Sequence, residues 1–186
     1  QSITWTVKTD YSDIRLNEIL ARNLNAYNHE DTFPDYVEIV NAGNLSVLLE
    51  GLVLTDDLDR KDKFTFGAGM VLNPGEYMLL HADSNTGPSG IHIGFSLDSE
   101  GESLYLLDSA GENAKILDQV RFGLQIPNLS IGRNEEFQWV LGTPSPGNLN
   151  QQTPTADSSA LVINEWLADG AFVYNEEFIE LYNPAL

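Results

Sequence analysis

The sequence predicts an all-β sandwich or barrel, and three observations carry that prediction. Short runs rich in Val, Ile, Leu, Phe and Tyr recur about every ten residues. Gly, Pro, Asn and Asp separate them, and these are the residues that tight turns require. The best helical candidate, "IRLNEILARNLNAYNHE" from Ile14, has Ile14, Ile19, Leu20 and Leu24 at partly helical spacing but carries Asn17, Asn23, Asn25 and Asn28, which are poor interior residues for a helix.

Strands are therefore expected near Ile14–Ala21, Tyr36–Asn41, Gly51–Thr55, Lys63–Gly67, Glu76–His81, Ser103–Asp108, Ile116–Phe122 and Phe137–Val140. In "LNPGEY", Pro74 fixes φ and Gly75 supplies the positive φ that a type II turn needs. Gly101 and Gly111 are offered the same role in "DSEGES" and "DSAGEN". Along "SLYLLD", Leu104 and Leu106 take one face while Tyr105 and Leu107 take the other, so this strand should be covered on both sides. The opening "SITWTVKTDYSD" alternates Ile3, Trp5 and Val7 with Ser2, Thr4 and Thr6, as an edge strand or an upstream remnant would.

Composition narrows the functional classes. Against 28 Asp and Glu stand 9 Lys and Arg, for a formal net charge of -19 and a pI near 4.1. Nucleic-acid binding usually needs a basic stripe to release counterions, and Arg15, Arg22, Arg60, Lys61, Lys63, Arg121 and Arg133 do not form one in sequence. Cysteine is absent, which removes disulfides, thiolate zinc sites and a cysteine nucleophile. Apolar runs such as "VLLEGLVL" are far short of a membrane span. The chain starts at Gln1 with no leader-like segment, which fits a processed or excised piece of something longer.

An internal repeat organises the rest. "LNEILA" at Leu16–Ala21 aligns with "INEWLA" at Ile163–Ala168, and "DYVEIVNAG" at Asp35–Gly43 aligns with "EFIELYNPA" at Glu177–Ala185. The offset falls from 147 to 142 between the blocks, a difference that a loop absorbs cheaply. Chance similarity of two β-rich segments would account for strand character but not for the shared Asn-Glu and Glu-x-x-Asn placements. The expected organisation is an edge strand or upstream remnant at 1–13 and a complete sandwich at 14–142. A Pro/Ser/Thr linker at 143–160 and the first two strands of a second copy at 161–186 follow. Two strands alone are marginal in water. They are therefore expected to pair with an exposed sheet edge of their own domain, or with a neighbouring chain in a strand-swapped homo-oligomer.

From Ile14 to Asn150 the ordered blocks "LNEILARN", "DYVEIVNAG", "LEGLVLTDD", "FTFGAGMVLNPGEYMLL", "FSLDSEGESLYLLDSAGE" and "SIGRNEEFQWVLGTPSPGNLN" resemble the lamin tail domain family, in the form found in bacterial surface and secreted proteins. The chain departs from that pattern at Tyr36 and Leu52, where members often carry Trp. The resemblance implies an immunoglobulin-like β-sandwich, extracellular or cell-surface placement, and a noncatalytic module repeated in large exported proteins with protein or cell-surface partners. It implies no active site.

The chemical motifs fall short one by one. In "TDDLDRKDK", Asp56, Asp57 and Asp59 are a calcium candidate, since Asp57 and Asp59 alternate as in a calcium loop, but Lys61 and Asp62 stand where Asp or Asn and then Gly belong. A solvated hairpin loop is the alternative reading. His29, His81 and His92 are too far apart to make a spaced zinc motif and read as surface or turn histidines, although "HAD" at His81–Asp83 could be half of a catalytic pair. Glu18 and Glu38 recur as Glu165 and Glu180, which suits a structural hydrogen bond tying the first two strands to a nearby loop better than a repeated catalytic site. "GAGMVL" lacks the third Gly and the Lys of a phosphate loop, and "NLS" at Asn44 and Asn128 matches a common glycosylation pattern. No catalytic residue and no cofactor is expected. A structural spacer or protein-binding module comes first, a calcium- or carbohydrate-binding adhesion module second, an enzyme third, and a nuclear filament tail fourth.

Overall fold

The computed structural model of the protein describes residues 10–85, 87–155, 160–168 and 177–184. The expected first strand around Ile3–Val7 lies outside them. Every described strand pairing is antiparallel, and the chain divides into two units, Gln1–Thr153 and Pro154–Leu186.

In the first unit a six-stranded sheet runs in the order β12-β11-β10-β1-β2-β7. Its members are β1 (Ile14–Leu20), β2 (Tyr36–Asn41), β7 (Tyr77–His81), β10 (Ser130–Arg133), β11 (Trp139–Thr143) and β12 (Gln151–Gln152). A four-stranded sheet, β5-β4-β8-β9, holds β4 (Val53–Thr55), β5 (Phe64–Thr65), β8 (Glu102–Leu107) and β9 (Ile116–Phe122). A short ladder joins β3 (Val47–Leu48) to β6 (Val71–Leu72). The immunoglobulin-like β-sandwich expected from the sequence is therefore the fold.

A bulge explains the partly helical spacing of the first strand. The register of β1 on β2 shifts between Leu16 and Glu18, so Asn17 is the extra residue that resets which face follows. As a result Leu16 and Ile19, three apart, both join the hydrophobic core with Val37, Ile39, Leu54 and Leu104. Glu18, Tyr36 and Glu38 turn away from that core, yet all three are fully buried. The loop after β1 is knitted by Asn23, whose side chain accepts from Ala26 and Tyr27 N–H and donates to the carbonyls of Tyr27 and Pro34. Asparagine side chains of this kind compete with helical bonding, which is why the segment does not continue as a helix.

The turn chemistry is mostly as expected. Gly75 and Gly101 have φ of 71° and 123°, but Gly111 is not among the glycines with positive φ. The two sheets are clamped by Arg133. Its guanidinium donates to both oxygens of Asp118 on β9 at 2.9 Å and to the Leu16 carbonyl at 2.8 Å, and it lies 4.7 Å from the Trp139 ring centre. Asp118 in turn accepts the Leu16 N–H at 2.9 Å.

The stretch read as a linker at 143–160 is corrected in its first part. Thr143 belongs to β11, and Gln151–Gln152 form β12 against it. Between them the chain crosses the outer face of β1 and β2. Its Pro, Gly and Ser content resembles a linker because a tight crossing needs the same residues.

In the second unit β13 (Val162–Leu167) and β14 (Phe178–Tyr182) pair with each other, and among the described residues with no other strand. Their register reproduces β1–β2 position by position. Ile163 faces Leu181 as Leu16 faces Ile39, Glu165 faces Glu180 as Glu18 faces Glu38, and the shift again falls at the Asn. Asn164 donates to Glu180 as Asn17 donates to Glu38.

Candidate functional site

Two groups of chemistry-bearing side chains converge in the sandwich. The first is the carboxylate pair on the outer face of β1 and β2. Glu18 receives the Tyr36 hydroxyl at 2.7 Å, the Ser130 hydroxyl at 2.7 Å, and the Ser145 N–H at 3.0 Å and hydroxyl at 3.1 Å. Glu38 receives Asn17 Nδ2 at 2.8 Å and the Gly147 N–H at 2.5 Å. Asn150 closes the roof by donating to the carbonyls of Asn17 and Arg133. It packs so tightly that a Cβ on Gly132 would lie 2.5 Å from Asn150 Cγ. These are the structural bonds to a neighbouring loop that the repeat suggested, and every donor comes from the sandwich itself.

Burial pushes Glu38 up to about 7, with the Glu18 charge adding to the rise and the Gly147 and Asn17 donors opposing it. A carboxyl whose pKa is raised on folding stabilises the fold most below its unfolded pKa and loses that contribution as pH rises through the folded value. The sandwich should therefore weaken between about pH 4.5 and pH 7, by on the order of a few kcal/mol. Glu38→Gln should flatten that slope in melts across this range. An unchanged slope in the variant would contradict the assignment.

The second group is a histidine cluster that sequence spacing missed. His29 sits in a two-residue turn with Glu30 and Asp31 at φ of 47° and 64°, closed by His29 N–H to the Thr32 carbonyl at 2.8 Å. His81 ends β7, and His92 is bridged beside it by backbone bonds between His81 and residues Ile91 and Ile93. Their rings lie 4.0 Å apart for His29 and His81 and 4.9 Å for His81 and His92. One ligand atom from each falls within 4.8 Å of the others. Tyr27 bonds His81 Nε2 at 3.0 Å, and Asp83 bonds His92 Nδ1 at 2.5 Å. Desolvation, reinforced by the neighbouring histidines, holds His81 down to about 4. No local spacing marks this cluster, because the β2–β7 pairing and the His81–His92 bridge assemble it.

Asp83, His92 and Ser89 do not make a nucleophile triad as they stand. His92 Nε2 faces the Ser89 carbonyl at 3.3 Å, and the Ser89 hydroxyl donates to Glu30 instead. The other half-pair suggested by "HAD" is also spoken for, since Asp83 bonds His92.

The acidic loop is tied down by its own residues. Asp56 holds Lys63 through both oxygens at 2.5 and 2.7 Å, and Asp57 Oδ1 accepts the Asp59 N–H at 2.9 Å. Among the described residues the group whose metal-ligating atoms converge is the histidine trio. A cleft of about 370 Å³ is lined by Asn17, Tyr77, Arg133, Glu135, Phe137 and Asn150, among others. Arg133 is already bonded across the sheets to Asp118, and Asn150 to the carbonyls of Asn17 and Arg133.

Fold and site together define a β-sandwich module whose buried acids hold strands together. The lamin tail domain family model matches residues 8–123, and the chain belongs to that family. The matched span ends before β10, whose Ser130 nevertheless completes the Glu18 site. No curated protein and no solved structure matches the chain.

Proposed function

We propose that the chain is a noncatalytic immunoglobulin-like module of a larger exported or cell-surface protein, serving as spacer and protein-binding unit in a tandem array. The observation that carries this reading is the β13–β14 hairpin, which repeats the β1–β2 register, bulge and Asn-to-Glu bond. A chain that reuses a whole supersecondary unit fits a repeat architecture. The buried acids support it too, since Glu18 and Glu38 are engaged in holding strands. The net charge of -19 would keep an array soluble.

Antibodies to the sandwich should find the protein in the exported or surface fraction of its host, and retention inside the cell alone would contradict the reading. Ile163, Trp166, Ile179 and Leu181 are exposed on the hairpin, and a strand-swapped second copy would cover them. Sedimentation should then show association that rises with concentration and is lost in Trp166→Glu. The adhesion alternative, with calcium on Asp56, Asp57 and Asp59, requires calcium to displace Lys63 and raise the melting temperature. The spacer reading expects no such rise.

A further inference from the structure

We propose that His29, His81 and His92 bind one transition-metal dication of the zinc class, pinning three separate segments of the sandwich together. The proposal is independent of the array reading and rests on four observations. Three imidazoles from a turn, a strand end and a loop place one ligand atom each within 4.8 Å of one another. Tetrahedral zinc, with Zn–N of about 2.0–2.1 Å, holds its nitrogens about 3.4 Å apart, so a modest rotation of the His29 and His92 side chains closes the set.

The second observation is an orphaned atom. His81 is 3 % exposed, and its Nδ1 is buried with no hydrogen-bond partner. A buried unsatisfied nitrogen is costly, and a metal ion would satisfy it. Third, the space beside that nitrogen is kept open. Gly90 has φ of 100°, and a Cβ there would lie 3.1 Å from His81 Nδ1 and 3.8 Å from His29 Nε2.

Fourth, the outer partners take the ring nitrogens of His81 and His92 that face away from the ion. Tyr27 occupies the far nitrogen of His81, which leaves Nδ1 as the ligand. Asp83 occupies Nδ1 of His92, which leaves Nε2, in the carboxylate–histidine arrangement that supports metal-ligating imidazoles. The Nε2 atoms of His29 and His92 both face the Ser89 carbonyl, at 2.7 and 3.3 Å. A dication at that point takes the place of the protons shared with Ser89: the His29 proton moves to Nδ1, and the His92 Nε2 proton, whose ring already carries the Nδ1 proton held by Asp83, is released to solvent on binding. Neutral imidazoles without thiolates select zinc, nickel or copper over calcium and magnesium. Three protein ligands leave the fourth position to water.

The test is a calorimetric zinc titration of the untagged, metal-stripped full chain at neutral pH, with excess calcium present to occupy surface carboxylates. The expected result is one zinc per chain. His29→Gln and His92→Gln should each weaken binding by more than the ~10–100-fold that loss of a supporting partner costs, and Asp83→Asn, a positioning change, should fall within that range. In the unmodified chain, imidazole nitrogen resonances of His81 Nδ1 and His92 Nε2 should shift on zinc addition, a readout that needs no variant to fold. Cobalt(II) should give the visible absorption of a four-coordinate site, absent in His29→Gln. Failure to bind one equivalent, unshifted histidine resonances, or zinc binding as tight in the variants as in the parent would overturn the proposal. The last of these would assign the ion to the carboxylates.

Discussion

Glu18→Ala is expected to destabilise the sandwich by about 3–5 kcal/mol, because it strands several buried donors at once. Tyr36 Oη, Ser130 Oγ and the Ser145 N–H all point at this carboxylate, which is fully buried. The hydroxyls can turn to other acceptors, but the Ser145 N–H cannot. Natural domains hold only about 5–15 kcal/mol in total, so melting should fall by about 10 °C or more. The matching change in the repeat, Glu165→Ala, should be close to silent, within about 0.5 kcal/mol. Glu165 is exposed, and its neighbour across the strands at the Tyr36 position is Phe178, which has no hydroxyl. Thermal melts of the two variants side by side check this, and equal losses would contradict the environment-based account.

Arg133→Ala is expected to cost a similar amount, about 3–5 kcal/mol, by leaving Asp118 charged and unpaired between the sheets. Both side chains of the pair are nearly buried, at 12 % and 13 % exposure. The Leu16 carbonyl at the bulge loses its donor in the same step. Arg133→Lys should recover only part of the loss, since an ammonium cannot bond both Asp118 oxygens and the carbonyl while stacking on Trp139. Denaturant unfolding of the three proteins measures it, and a silent Arg133→Ala would remove the clamp from the account.

The strands of the repeat were legible because their chemistry is local. The recurring Asn-Glu and Glu-x-x-Asn placements marked β1 and β2 and their copies β13 and β14, although the bulge gave β1 a partly helical spacing, and the Pro74–Gly75 turn marked the approach to β7. The two-residue strands β3, β6 and β12 are too short to leave a period in the sequence. The crossing at 144–150 read as linker because two of its bonds to the glutamates come from backbone N–H groups, of Ser145 and Gly147, which carry no residue signature, and its side-chain donors, Ser145 and Asn150, are residue types that loops also favour. A buried carboxylate pair still demands donors, so the recurrent glutamates were the available hint that some loop had to cover them. The histidines were illegible for a different reason. They lie 52 and 11 positions apart, and only the sheet pairing brings them together.

Residue-resolved hydrogen exchange on the whole chain at low concentration tests the central claim, that one complete sandwich is followed by the opening hairpin of another. Amides of β1, β2 and β8 should exchange only through global unfolding. Those of β13 and β14 should exchange orders of magnitude faster, since a lone two-stranded hairpin is marginal in water. Their protection should rise with protein concentration if a second copy covers them. Hairpin amides as protected as the sandwich core at high dilution would contradict the account.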